Sequence, residues 1–181
     1  PRSVAFSAPN VKANVDFSKR IGYFKSNVAG LPVDFPYNKY KTTINEFTWD
    51  MDKKTIDFKG PPKIEDTYFT STHPDQDSLQ FHGSGALYSL ETYILDVKGV
   101  PYIYVADAKI TPDSGKVVIE PEAKMQQLLN AKIEANMETH YHLLKKASVN
   151  IYGAKNYKGS GSYDYINKTK KKQEIFFEKI Y

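Results

Sequence analysis

VPYIYVADAKITPDSGKVVIEPEAKMQQLLNAKIEANMETHYHLLKKASVNIYGAKNYKGSGSYDYI, residues 100–166, carries one phrase three times: a small residue followed two places later by a β-branched one. The phrase is written as Ala108-Lys109-Ile110, as Ala131-Lys132-Ile133, and as Ala147-Ser148-Val149 running on to Ile151, at intervals of 23 and 16 residues. Similar phrases recurring at about the length of one coil are the signature of a solenoid. Val117-Val118-Ile119, between the first two phrases, would form a second side of the same coil. The stretch closes on Tyr157 to Tyr165, a glycine-punctuated and tyrosine-rich edge. It predicts an all-β chain: a short β-solenoid, or stacked β-sheets with hairpins packed on them.

The flanking sequence agrees. Val11, Ala13, Val15 and Phe17 alternate with polar residues, as in a half-buried strand. Arg20 to Asn27 is a weaker strand, and Gly30 to Tyr40, with Pro32 and Pro36, reads as a loop. Phe47, Trp49 and Met51 share a face, Asp50 to Lys54 turns, and Thr55 to Phe58 returns, which makes a hairpin. The internal boundary is drawn at Gly60-Pro61-Pro62, separating a hairpin region (1–60) from the solenoid-like region (61–181), with a single domain as the alternative. Short strands follow at Tyr68–Phe69, Leu79–Phe81, Ala86–Leu90 and Tyr93–Val97. Glu174 to Ile180 completes a last hairpin.

One segment reads two ways. From Glu122 to Lys146, apolar residues fall at Met125, Leu129, Ile133, Met137 and Tyr141, every fourth position, behind Pro121. That spacing predicts a helix over 122–146, whereas the recurring phrase predicts strands at Ala131 to Ala135 and Ala147 to Ile151.

Composition narrows the class of function. The 181 residues include 14 Tyr and 10 Phe, an aromatic excess that favours pleated, half-buried surfaces. The net charge of +4 sits largely in Lys168, Lys170, Lys171 and Lys172. That run reads as a solvated hairpin tip; nucleic-acid binding would want basic residues spread over a face with aromatics between them. With no Cys there is neither a disulfide framework nor a thiol nucleophile. No run of about 18 apolar residues marks a transmembrane helix. The chain begins at Pro1 without Met or signal peptide and stops inside an apolar alternation, which reads as a piece of a longer polypeptide.

Few residues suggest chemistry. His73, Asp75, Asp77 and His82 are the densest set of potential metal ligands, but the glycine and closing Glu of a calcium loop are missing, so no bound metal is expected. His140 and His142 would share a strand face without a third ligand. Asp107, between Ala106 and Ala108, is the one acid with a catalytic flavour, and it lacks a matched second carboxylate. Gly83-Ser84-Gly85 and Gly159-Ser160-Gly161 are turn formers, not phosphate loops. Trp49, Tyr157, Tyr163 and Tyr165 could stack on sugar rings. No cofactor is implied.

Trp49-Asp50-Met51, Ser71 to Phe81, Val105 to Pro112 and Gly159 to Tyr165, in that order, resemble an internal segment of very large, uncharacterised cell-envelope or secreted proteins of Bacteroidetes. The resemblance covers most of the chain from Phe47 onward. It implies an envelope or extracellular setting, a β-rich repetitive body, and the rest of a long polypeptide as first partner; it implies no activity. The expected function is therefore a non-catalytic structural or binding segment presenting an aromatic and polar face to a glycan or a protein. A carbohydrate-active β-helix enzyme and a periplasmic lipid-carrying β groove are the alternatives.

Overall fold

In the computed structural model, which describes residues 4–28, 30–136 and 142–180, hairpins alternate between two antiparallel sheets. β1 (Val11–Asp16) and β2 (Ile21–Ser26) lie in the first sheet; β3 (Val33–Phe35) and β4 (Tyr40–Thr42) lie in the second. β5 (Glu46–Asp50) and β6 (Thr55–Lys59) return to the first, and β7 (Phe69–Ser71) and β8 (Gln80–Phe81) to the second. β9 (Gly85–Ser89), β10 (Leu95–Lys98), β11 (Ile103–Val105) and β12 (Ala108–Thr111) repeat the exchange, and β13 (Val117–Ile119) is the last strand of the first sheet. The chain then stays in the second sheet through β14 (Leu128–Ala135), β15 (His142–Gly153), β16 (Asn156–Ile166) and β17 (Lys172–Ile180).

The first sheet has seven strands in the order β1-β2-β5-β6-β9-β10-β13; the second has ten, β17-β16-β15-β14-β12-β11-β8-β7-β4-β3. The pairing of β6 with β9 runs across Gly60-Pro61-Pro62. The residues facing between the sheets are aromatic and β-branched, the types that fill a pleated, buried surface. Phe35 on β3 packs against Phe58 and Tyr88 of the opposite sheet, with ring centroids 5.2 and 5.0 Å apart. Ile56, Leu95, Ile103, Ile110, Ile119 and Ile133 are fully buried in the same core.

All three phrases face this core. Ala108, Ile110, Ala131, Ile133, Ala147 and Val149 are fully buried on β12, β14 and β15, while Lys132 between them is exposed. Ile110 pairs with Ile133, and Ala131 with Ala147, in antiparallel register. Val117-Val118-Ile119 lies in the other sheet.

The helix over 122–146 does not form: the described part of that span contains β14, the start of β15 and no α-helix. Two bulges explain the misleading spacing. Asn130 and Lys146 take left-handed conformations (φ 54° and 50°), and the strand register shifts beside each. An inserted residue sends two successive side chains outward, so Leu129 is 62 % exposed where a helix would bury it. Met137, His140 and Tyr141 lie outside the described residues. The second correction concerns Gly30 to Tyr40, where Pro32 and Pro36 bracket the three-residue strand β3.

Candidate binding surface

β15, β16 and β17 are 12, 11 and 9 residues long, the longest run of neighbouring strands in the molecule. Their buried side chains stop short of the end of the sheet. Ile151 and Tyr157 belong to the core, but no residue of β17 is buried. Cross-strand partners project from the same side of a sheet, so the registers define what the core-facing side carries beyond the core. Leu144 is opposite Tyr163, Tyr163 opposite Ile175, Tyr165 opposite Gln173, and Gly161 opposite Phe177. His142 joins them, its ring 6.2 Å from that of Tyr163. Tyr165 is 46 % exposed and Phe177 44 %. The surface is thus aromatic and apolar with a polar fringe of His142 and Gln173.

The other side of the same strands carries the charges, beside the exposed Ile166 and Phe176. Asp164 accepts from Lys145 at 2.7 Å and pairs with Lys172 at 2.9 Å, and Glu174 pairs with Lys146 at 3.2 Å. Hydrogen bonds from Lys145 and Lys172 hold the Asp164 carboxyl below the usual carboxylate range, and Lys146 and Ser162 do the same for Glu174. Three strands are tied in register on one side while the aromatic side stays open. The lysine-rich segment is the tip of the β16–β17 hairpin, where Asn167 accepts from the Thr169 and Lys171 amides at 3.0 and 2.9 Å.

Of the residues singled out in the sequence, Tyr163 and Tyr165 share this surface. Tyr157 does not: it is buried, and burial followed by the nearby Asp107 charge raises its phenol pKa. Trp49 packs against the core beside Ile56, its partner across β5–β6, with its indole N–H unpaired. Asp107 is exposed in the β11–β12 turn next to Ala106, whose φ is 52°.

The four metal candidates do not converge; among the described residues no three His, Asp or Glu side chains group as ligands. His73 Nδ1 accepts the Asp75 amide at 3.2 Å, and Asp77 pairs with Lys155 at 3.3 Å. His82 sits apart, its Nδ1 2.9 Å from the Thr67 carbonyl and its ring 4.5 Å from Tyr68. The His73–Asp77 loop instead delivers Gln76 into the interior. There Gln76 Nε2 donates to the Ala123 carbonyl at 2.7 Å, and its Oε1 accepts from Tyr40 at 3.2 Å. Asn38, also fully buried, donates to the Tyr93 and Ile119 carbonyls at 2.7 and 3.0 Å.

Sequence reasoning passed over Ile175 and Phe177, and weighed His142 only as a metal ligand paired with His140. All three join Tyr163 only through the strand register. It also passed over Tyr102 and Tyr104, whose rings lie 4.8 Å apart with Lys109 Nζ 4.9 Å above Tyr102; their spacing of two was the available signal. Among the described residues no helix is long and apolar enough to cross a membrane. Comparison with known proteins finds no matching family model, curated relative or solved structure.

Proposed function

We propose that this chain is a non-catalytic structural or binding segment of a large bacterial envelope or surface protein, presenting the aromatic side of β15–β17 to a glycan or a protein. The observation that carries the reading is the continuation of the core-facing side past the core, where Tyr163, Tyr165, Ile175 and Phe177 remain accessible on paired strands. Flat aromatic side chains on a stiff sheet lose little entropy on contact and suit sugar rings or a protein anchor. The envelope setting rests on the resemblance of the sequence motifs.

A solenoid-like mode of growth fits the same reading. Hairpins of the first sheet begin at residues 11, 46 and 85, intervals of 35 and 39; those of the second begin at 33, 69 and 103, intervals of 36 and 34. A unit of one hairpin per sheet extends both sheets together, away from β1 and β3, as a repetitive body in a long polypeptide would require.

The test is co-sedimentation with insoluble envelope glycans, peptidoglycan sacculi first. The wild type and Tyr152→Ala, altered on the opposite side of β15, are retained, while the double variant Tyr163→Ala/Tyr165→Ala loses retention about tenfold or more. Retention unchanged in the double variant, or no retention of the wild type by glycans or by envelope protein extracts, would overturn the reading.

A further inference from the structure

Four strands end the two sheets, and they are not equally protected. β3 is covered by Ser7, whose amide and carbonyl exchange 2.8 Å hydrogen bonds with Asp34. β13 is covered by the bridge from Ile119 to Met125. Among the described residues, the outer edges of β1 and β17 have no strand beside them. An open edge offers its backbone groups to any extended chain, and charge decides which chain can settle there.

On β17 charge singles out no clean register: centring on Glu174 or Phe176 opposes Glu174 to itself or to Glu178, and centring on Ile175 sets Lys172 opposite Glu178 but Lys171 opposite Lys179. On β1 charge favours self-pairing. Centring the register on Asn14 sets Lys12 opposite Asp16 twice, Ala13 opposite Val15 twice, and Asn14 opposite itself, with core-facing residues on one side throughout. Phe17, just past the strand and 79 % exposed, comes opposite Val11. Val11 and Val15 are only half-buried, Ala13 is exposed, and a hollow of about 370 Å³ lined in part by Ala13, Asn14, Phe24 and Phe47 lies beside them.

We propose that β1 pairs with β1 of a second copy of this chain about a two-fold axis through Asn14, joining two seven-stranded sheets into one. One strand pair buries less than a standard interface, so the dissociation constant is on the order of 100 µM.

Sedimentation equilibrium across that range tests it. The wild type shows a monomer–dimer equilibrium. Lys12→Asp sets Asp opposite Asp twice and weakens association about tenfold or more, and Lys12→Asp/Asp16→Lys, which exchanges the charges, restores it. Since the protein has no Cys, Asn14→Cys should oxidise to a disulfide-linked dimer at concentrations where Glu174→Cys on β17 does not. A strictly monomeric wild type, a dimer indifferent to Lys12→Asp, or cross-linking through Glu174→Cys alone would each overturn the proposal.

Discussion

Ala131 and Ala147 stand directly opposite one another on β14 and β15, and neither exposes any surface. The row continues to Gly161 on β16, where an added Cβ would lie 3.2 Å from that of Ala147. Three small residues side by side let the opposite layer approach closely, and there is no slack for a larger one. Ala131→Leu should cost on the order of 1–3 kcal/mol through overpacking, and Ile133→Ala about 2–5 kcal/mol through the cavity it leaves. Lys132→Ala, pointing outward, should be nearly silent. Denaturant unfolding of the three variants checks the order; an Ala131→Leu protein that unfolds with the wild type would contradict it.

Gln76→Ala should destabilise by about 1–3 kcal/mol, because it strands the Ala123 carbonyl without a partner and removes an acceptor from the buried Tyr40 hydroxyl. Asp77→Asn in the same loop keeps the left-handed conformation (φ 49°) and loses only an exposed ion pair, so it should stay within about 0.5 kcal/mol. Equal effects from the two in thermal unfolding would remove Gln76 from the structural role given to it.

Alkali should unfold the protein through Tyr40 and Tyr88. Burial holds both phenols far above their ordinary value of 10.0. Below that value each is protonated in both states, and the full stability is present. Above it the unfolded chain releases protons that the native state keeps, so stability falls as pH rises. Denaturant midpoints between about pH 9 and 12 should drop, with the share of the tyrosinate absorbance that belongs to these two appearing only as the chain unfolds. A gradual native-state titration of every tyrosine would contradict the burial of these two.

Acid acts on the other end of the molecule. The Asp164 and Glu174 carboxyls are depressed by their lysines, so their contribution is present above the ordinary carboxylate range and is lost as pH falls through the depressed values. Both groups are solvated, so the effect should be modest and weakened by salt. NMR amide shifts of Phe176 and Phe177 should report loosening of β17 between about pH 4 and 2, earlier in the variant Lys145→Ala. Shifts independent of pH would mean that the ion pairs do not hold the strands together.

Strands whose period is two were legible wherever one side met the core without interruption. Val11 to Asp16, Phe47 to Phe58 and Ala147 to Ile151 are such cases, and Ala131 with Ile133 stood out because both pack inward with Lys132 between them. The stretch before Ala131 misled because the bulge at Asn130 turned Leu129 outward, so that Met125, Leu129 and Ile133 imitated a helical stripe. The aromatic surface was half legible. Tyr163 and Tyr165 announce themselves by spacing, but nothing local says that Tyr157 on the same strand is buried or that Phe177 is not; that depends on where the opposite sheet ends. His73, Asp75 and Asp77 drew attention as acids and imidazole, while the residue their loop exists to place is the neutral Gln76 between them.

The exchange of hairpins between sheets also dictates an order of assembly. Up to β12, each hairpin finds its neighbour not in the hairpin just made but in the one before that: Phe24 meets Phe47, Tyr40 meets Ser71, Phe58 meets Ala86 and Phe81 meets Ile103, at separations of 23, 31, 28 and 22 residues. A chain emerging from the ribosome can therefore lay down each layer on an edge completed some thirty residues earlier, without waiting for its far end. Growth of one layer licenses growth of the other, and the nascent protein carries a single advancing front instead of two halves that must later find each other.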